Sequence, residues 1–207
     1  MVDTLPEQAE IGRVLSAGTA GFVAGCRVKA LETPSFGALV RVPVDRDSQI
    51  YGLIHDIRIQ DDGLVRQLVT AEGVSEEVVL DNRERRIVPV EMSVVVVGCK
   101  HAGSIGYQLP PRPPLSLDPV YGCAKAELRD FISAGHFGYF RHLIRVPDLP
   151  FGELLEAHIR QAAPAHPNPE AWRQGAVDEV IALLRDDYPL LAAVLAAIDP
   201  ASSAAIT

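Results

Sequence analysis

Four prolines near the middle of the chain impose its strongest local constraint. They stand at positions 110, 111, 113 and 114, within the segment 108–122, QLPPRPPLSLDPVYG. Proline fixes its own φ at about −65°, lacks the backbone N–H that helices and sheets require, and restricts the residue before it. The segment 108–122 is therefore predicted to be an extended, non-helical strap that divides the chain into two halves of different pattern.

The half before the strap reads as a series of short β-strands. In residues 48–59 apolar side chains alternate, and Gly52 within this stretch predicts a bulge or a tight bend of a barrel. Residues 92–99 contain four consecutive valines, a pattern typical of a strand buried on both faces. Short strands punctuated by glycine and proline favour a closed barrel or a sandwich. Further strands are predicted at 12–15, 22–28 and 38–44.

The alternation in residues 48–59 also assigns side chains to faces. One face is expected to carry Tyr51, Leu53, His55, Ile57 and Ile59, and the other Ile50, Gly52 and Ile54. The next segment, 60–90, is charged, and its pattern does not assign side chains to two faces. Its pattern fits short strands or a helix fragment at 64–69 and 78–80, with a solvated turn at 81–86.

The half after the strap has the 3.6-residue period of helices. A helix is predicted over 123–133, with 137–144 as its continuation after a break. Asp148 is expected to cap the next helix, with Pro150 in its first turn.

A longer helix is predicted after Asn168, which is expected to cap it, with Pro169 at its first position. Its apolar stripe consists of Trp172, Ala176, Val180, Ile181 and Leu184. A last helix is predicted over 190–198, and the residues from 200 onward are expected to fray.

Together these patterns predict an α+β protein, with an N-terminal small β-barrel followed by a C-terminal helical region. The predicted organisation is a barrel in residues 1–107, which includes a loose leader at 1–10, the strap at 108–122, and a helical domain in residues 123–207. The chain is 48% hydrophobic, enough to form a core and too much for a disordered chain.

Composition also bears on the environment and the partners. The net charge of −8 argues against a surface that coats nucleic acid. The first residues, MVDTLPEQAEIG, are acidic and polar, unlike a signal peptide, and no apolar run is long enough to span a membrane. Three scattered cysteines do not form a disulfide framework. A cytoplasmic protein with reduced thiols is the simplest expectation.

Two motifs come close to known site chemistry without matching it. The run from Gly98 to Ser104 has the glycine spacing of a P-loop, but Ser104 stands where the lysine belongs, and no helix can follow. It is therefore interpreted as a strand-end turn, and tight ATP binding is not expected. Cys99 and His101, with Cys26, His55 and Cys123, lack the spacing of a metal site.

Acidic pairs occur at Asp45 with Asp47 and at Asp61 with Asp62, and both are interpreted as parts of charged turns. No catalytic, cofactor-binding or metal-binding residue is therefore assigned, and no cofactor is expected.

A basic stretch on the first predicted helices is the candidate interaction surface. It consists of Lys125, Arg129, Arg141, His142 and Arg145, with His136 between them. These side chains fit a solvated helix face, and they also fit a surface for an acidic partner or a phosphate backbone. Both interpretations stay open at this point.

Three segments resemble a HAS-barrel, the small β-barrel named after HerA helicase-like ATPases and ATP synthases. They are IGRVLSAGTAGFVAGCRV (11–28), FGALVRVPVDRDSQIYGLIHDIRI (36–59) and LPPRPPLSLDPVYGCAKAELRDFI (109–132). The first resembles a glycine-rich opening hairpin, and the second resembles the paired strands of that barrel. The third is similar to the proline-rich segment and helix that join such a barrel to an ATPase core.

In those ATPases a P-loop domain follows the barrel, whereas here a helical stretch without a Walker A lysine follows it. The resemblance therefore implies an ancillary barrel that packs against neighbouring barrels in a ring or docks to another protein. On this basis the chain is expected to be a non-enzymatic accessory protein, with a HerA-like ring ATPase as a candidate partner and a homo-oligomer left open.

The alternative from a different class is a metal-dependent nuclease or phosphohydrolase. It would use Asp45, Asp47, His55 and Asp56, expected near one rim of the barrel. Nucleic-acid binding through the basic stretch is a third and weaker hypothesis.

Overall fold

The computed structural model describes residues 10–28, 35–59, 70 and 88–198. The predictions for the leader up to residue 9, for 64–69, 78–80 and 81–86, and for the residues from 200 onward lie outside these described residues.

Six antiparallel strands close into a barrel, as the sequence predicts. The barrel order is β2-β1-β7-β3-β4-β5, and a β2–β5 pairing closes it. A short strand, β6, forms a hairpin with β5 outside this closure. The strands are β1 (Glu10–Ala17), β2 (Gly21–Val28), β3 (Leu39–Pro43), β4 (Ser48–Ile59), β5 (Val88–His101), β6 (Ser104–Gly106) and β7 (Pro119–Gly122).

The end of the strap is itself a barrel strand, which the sequence does not predict. Residues 107–118 contain neither helix nor strand, as expected of a proline-rich segment. Then β7 inserts between β1 and β3, with Tyr121 opposite Glu10 on one side and Arg41 on the other. The barrel is therefore closed by the same segment that leads to the helices.

The two longest strands are buried on both faces. Along β5, Val94 and Val96 point into the barrel, whereas Val95 and Val97 pack against the helical region. All four are at most 3% exposed, which confirms the predicted burial for the valine run, whereas Ser93 and Cys99 of the predicted segment 92–99 are half-buried. The barrel interior and the barrel–helix interface are thus two separate apolar cores that share one wall.

The pairing of β4 with β5 has two irregularities, and the second of them changes the faces of β4. One lies between Tyr51 and Gly52, as the glycine predicts, and a Cβ at Gly52 would lie 2.9 Å from the carbonyl oxygen of Val95. The other lies between Ile54 and Asp56 and was not predicted. Because of it, Ile57 packs against the barrel interior, so its predicted place on the face of Tyr51 is wrong.

The C-terminal region is helical, as predicted, although several bounds differ. The elements are α1 (Lys125–Ser133), α2 (Phe140–Leu143), α3 (Phe151–Ala162), a 3₁₀ turn (Ala163–Ala165), α4 (Pro169–Leu184) and α5 (Tyr188–Ile198).

One of the two predicted helix caps is confirmed and the other is wrong. The Asn168 side chain accepts a hydrogen bond of 3.2 Å from the N–H of Ala171 and caps α4. Asp148 has a left-handed φ of 57° and makes no cap, and Pro150 is instead the N-cap residue of α3. A cap that was not predicted occurs at Asp187, whose carboxylate accepts the N–H of Leu190 at 3.1 Å in α5.

A buried histidine joins the helical region to the barrel. His158, on α3, is 1% exposed, and its Nδ1 donates to the carbonyl oxygen of Gly37 at 3.1 Å. Its Nε2 therefore accepts the hydroxyl proton of Tyr139, at 3.0 Å. Gly37 has a φ of 81°, and a Cβ there would lie 2.8 Å from that of Ala157, so the close approach requires glycine.

Because His158 is buried, the free energy of unfolding of the protein should depend on pH. Burial lowers the pKa of His158 from 6.5 to about 4. Below pH 6.5 the unfolded chain takes up a proton here that the folded chain does not, so the free energy of unfolding should fall until about pH 4. The loss should be roughly 3 kcal/mol. Urea unfolding across this range should show a shallower pH dependence for His158→Gln than for the wild type or for exposed His136→Gln. Parallel curves for all three proteins would contradict this.

The tryptophan of α4 should be a main contributor to the outer core. Trp172 is 5% exposed, and its ring centre lies 5.2 Å from that of Phe137. Trp172→Ala should therefore lower the free energy of unfolding by about 3–5 kcal/mol. Ile181 belongs to the same predicted stripe but is 43% exposed, so Ile181→Ala should cost less than about 1 kcal/mol. Equal losses in chemical denaturation would show that the indole is not part of the core.

Candidate functional site

The basic stretch predicted from the sequence forms two groups. Lys125 and Arg129 lie one helical turn apart on α1 and are exposed. The nearest carboxylate to Arg129 is that of Asp130, at 3.8 Å. Arg141 and Arg145, on and after α2, are also exposed, as is His136 between the two groups. These cations are therefore accessible to an anionic partner.

The fifth predicted residue, His142, is not part of the exposed surface. It is 8% exposed, and its Nε2 donates to the carbonyl oxygen of Tyr107 at 2.6 Å. The guanidinium of Arg141 donates to the same oxygen. Burial, and secondarily the charges of Arg141 and Arg145, lower the pKa of His142. The imidazole therefore has a structural contact in the folded protein.

Tyr107, which Arg141 and His142 contact, also bonds to α1. Its hydroxyl donates to the carbonyl oxygen of Phe131 at 2.6 Å, and its ring centre lies 5.2 Å from Phe131 and 5.0 Å from Tyr139. Burial raises the pKa of Tyr107 to about 12. The start of the strap is thus fastened to α1 and to the segment before α2, which fixes where the cations lie.

An acidic side chain of the same helix points inward. Glu127 accepts from Arg41 at 2.9 Å, Gln49 at 3.0 Å and Tyr51 at 3.2 Å. The guanidinium of Arg41 also lies 4.8 Å from the centre of the Tyr121 ring. Burial and the charge of Glu127 raise the pKa of Tyr51. These contacts hold α1 against the barrel wall, and Lys125 and Arg129 of the same helix are exposed to solvent.

The acidic residues of the alternative hypothesis are not brought together. Asp45 and Asp47 lie in the β3–β4 turn, where Asp45 accepts the N–H of Asp47 at 3.0 Å and pairs with Arg112 at 3.5 Å. His55 and Asp56 lie eight residues further along β4, roughly 25 Å away at the usual rise of a strand. The expectation that the four lie near one rim is therefore wrong. Among the described residues, no group of three potential metal ligands occurs.

The P-loop-like run is a hairpin turn, as interpreted from the sequence. β5 and β6 pair with His101 opposite Ser104, and Ala102 and Gly103 between them have φ values of 48° and 83°. Positive φ at both central positions is the geometry of a tight two-residue hairpin. Asp61 and Asp62 lie outside the described residues.

The three cysteines are free thiols at separate places. Cys26 packs beside the barrel interior and Cys123 beside the outer core, whereas Cys99 lies in the wall near the strap. Burial raises the pKa of each thiol.

The most unusual exposed feature is the turn 115–118 of the strap, which sequence reasoning missed. Leu115 and Leu117 are 70% and 68% exposed. Leu117 has a φ of 72°, which is rare for a residue with a side chain. Two leucines within LSLD, in a proline-bounded polar segment, are the signal that could have revealed it.

Hydrogen bonds hold this turn, which we call the leucine turn, against β1. The N–H of Leu117 donates to the carbonyl oxygen of Val14 at 2.8 Å. The N–H of Val14 donates to the backbone carbonyl oxygen of Asp118 at 3.0 Å. The Asp118 carboxylate accepts the N–H of Leu115 at 2.8 Å, and Arg13 donates to the carbonyl of Leu117 at 3.1 Å. The backbone is thus held in a conformation that presents two apolar side chains to the outside.

Comparisons with known proteins give no family. No protein-family model matches the chain, and no curated protein is significantly similar to it. Within the described ranges, the helices are too short or too polar to cross a membrane.

The structural role of His142 can be separated from a surface role by mutation. His142→Ala should lower the free energy of unfolding by about 1–3 kcal/mol, because it removes a buried hydrogen bond to Tyr107. Arg145→Ala, which changes an exposed neighbour, should leave stability within about 0.5 kcal/mol. Thermal or chemical unfolding measures both, and a neutral His142→Ala would place the imidazole back among the surface cations.

Proposed function

We propose that this chain is a non-enzymatic accessory protein that docks to a protein partner through the leucine turn. The observation that supports this is the exposure of Leu115 and Leu117 on a backbone held by hydrogen bonds, with a left-handed φ at Leu117. Strained, exposed and well-anchored residues are typical of ligand clamps and binding loops.

The energetics of the leucine turn favour recognition. A left-handed conformation costs a leucine about 1–2 kcal/mol. Because the Leu117 side chain is exposed, its burial within the chain does not offset this cost. Burial of each leucine against a partner would contribute about 1.5–3 kcal/mol. Because the backbone is already held by β1, little conformational entropy is lost on binding.

The resemblance to a HAS-barrel makes a HerA-like ring ATPase the specific candidate partner. In that arrangement the barrel would lie on the ring, as such barrels do in the enzymes that carry them. The exposed cations Lys125, Arg129, Arg141 and Arg145 would attract an acidic surface of the partner during association. The nuclease alternative has no comparable support, since its four residues lie at two ends of β4.

A binding experiment with matched variants tests the proposal. The chain is mixed with the purified HerA-like ATPase of its own organism, and the affinity is measured for the wild type and for a Leu115→Asp and Leu117→Asp double variant. The double variant should bind at least about 100-fold more weakly. Ile59→Asp is the control, since Ile59 is 73% exposed on a different part of the barrel, and its affinity should be unchanged. Equal binding by all three proteins, or no binding by the wild type, would reject the proposal.

A single substitution separates binding from folding. Asparagine adopts a left-handed φ more easily than leucine, so Leu117→Asn should leave the free energy of unfolding unchanged or raise it by up to about 1 kcal/mol. The same variant should weaken partner binding because it removes an apolar contact. A clear loss of stability in chemical denaturation would show instead that the Leu117 side chain is needed for the fold.

A further inference from the structure

A polar pocket lies on the outer face of β3, β4 and β5, between two turns of the barrel. Its volume is about 360 Å³. Asp45, Arg46 and Asp47 of the β3–β4 turn line it, as does Gly103 at the tip of the β5–β6 hairpin. The N–H of Ala102 donates to the carbonyl oxygen of Asp47 at 3.0 Å and so joins the two turns. The pocket shares no residue with the leucine turn, so its function does not depend on the docking proposal.

The register of the strands fixes which side chains form the floor of this pocket. Gln49 lies opposite Pro43 on one side and opposite Lys100 on the other. The Gln49 side chain is on the outer face, because its Nε2 donates to Glu127 of α1 at 3.0 Å. Directly opposed residues of antiparallel strands carry their side chains on the same face, with Cβ atoms about 4.5–5.5 Å apart. Lys100 therefore projects from the outer face beside Gln49, where it lines the pocket.

Some of the charges that line the pocket are already paired. Arg41 pairs with Glu127 at 2.9 Å, and Asp45 pairs with Arg112 at 3.5 Å. The other charged side chains of the lining, none of which forms an ion pair with another described residue, are Arg46, Asp47 and Lys100. The pocket therefore offers unpaired cations together with an unpaired carboxylate.

These unpaired groups are complementary to a ligand that has an anionic group and several hydroxyls. Lysine and arginine bind phosphoryl groups through charge-assisted hydrogen bonds, and arginine can do so with two parallel N–H groups. A carboxylate accepts hydrogen bonds and donates none, so Asp47 needs donors, which hydroxyl groups supply. A cavity of about 150 Å³ holds one benzene ring, so this larger pocket has room for a phosphorylated six-carbon sugar.

We propose that the pocket binds a small sugar phosphate. The phosphoryl group would contact Lys100 and Arg46, and the sugar hydroxyls would donate to Asp47. Inorganic phosphate has the same anionic chemistry without the hydroxyls, and a free sugar has the hydroxyls without the charge. The contributions of the two parts of the ligand can therefore be measured separately.

Calorimetric titration of the full chain compares glucose 6-phosphate with inorganic phosphate and with glucose. Glucose 6-phosphate should bind with a Kd of about 1 mM or lower, inorganic phosphate about fivefold more weakly, and glucose without measurable heat. Lys100→Gln and Arg46→Gln each remove one cation, and each should weaken the binding of glucose 6-phosphate about tenfold. Arg145→Gln is the matched control and should bind as the wild type does, because Arg145 is an exposed cation outside the pocket.

A substitution at Asp47 tests the contact with the hydroxyls. Asp47→Ala removes an acceptor and a negative charge, so it should weaken glucose 6-phosphate binding about fivefold without weakening that of inorganic phosphate. NMR titration of the labelled protein locates the ligand: the amide signals of Arg46 and Gly103 should shift, and that of Gly175 in α4 should not.

Several results would each overturn the proposal. The first is that the wild type does not bind glucose 6-phosphate, or that binding shifts no amide signal of the pocket. The second is an unchanged affinity in Arg46→Gln, which alters an exposed turn, and in a folded Lys100→Gln protein. The third is that inorganic phosphate binds as tightly as glucose 6-phosphate, because the site would then recognise an anion alone.

Discussion

The structure depends on the burial of β4 and β5 from both sides. Their inner residues fill the barrel, and their outer residues, such as Leu53 and Val97, are completely buried under the helices. A barrel without the helical region would expose this outer apolar face to water, at a cost of about 25 cal/mol per Å². The helices therefore complete the barrel wall, and the His158–Gly37 and Glu127–Arg41 contacts hold them in register with it.

The strap, residues 108–122, contributes to the protein in three places along its length. Its first part packs on the barrel at the buried Pro110, its middle forms the leucine turn at 115–118, and its end becomes β7. The prolines lower the entropy cost of ordering this segment, because they already restrict its backbone in the unfolded chain. One short segment that crosses the barrel thus presents the leucine turn and also supplies a strand of the sheet.

Much of the fold could be predicted from local pattern, because the strongest signals are periodic. The span of β4, the double burial of β5 and the Asn168 cap follow from alternation, from a valine run and from helix-start chemistry. Local pattern does not predict features that depend on contacts with residues distant in the sequence. β7 exists because β1 and β3 leave a gap, and the bulge at Ile54 exists because of its register with β5. The candidate site was least predictable: His142 is buried by Tyr107, and the leucine turn depends on hydrogen bonds to β1.

The position of β7 has a consequence for how the protein is made. Its two neighbours, β1 and β3, are translated long before it, and Arg13 pairs with Pro119 across most of the N-terminal half. Such non-local pairing is slow to form, and domains begin to fold during synthesis from the N-terminus. On the ribosome, β1 and β3 must therefore keep unpaired edges until Pro119–Gly122 has emerged from the exit tunnel. During that interval the nascent barrel is open at one seam, and this is where chaperone binding or aggregation would begin.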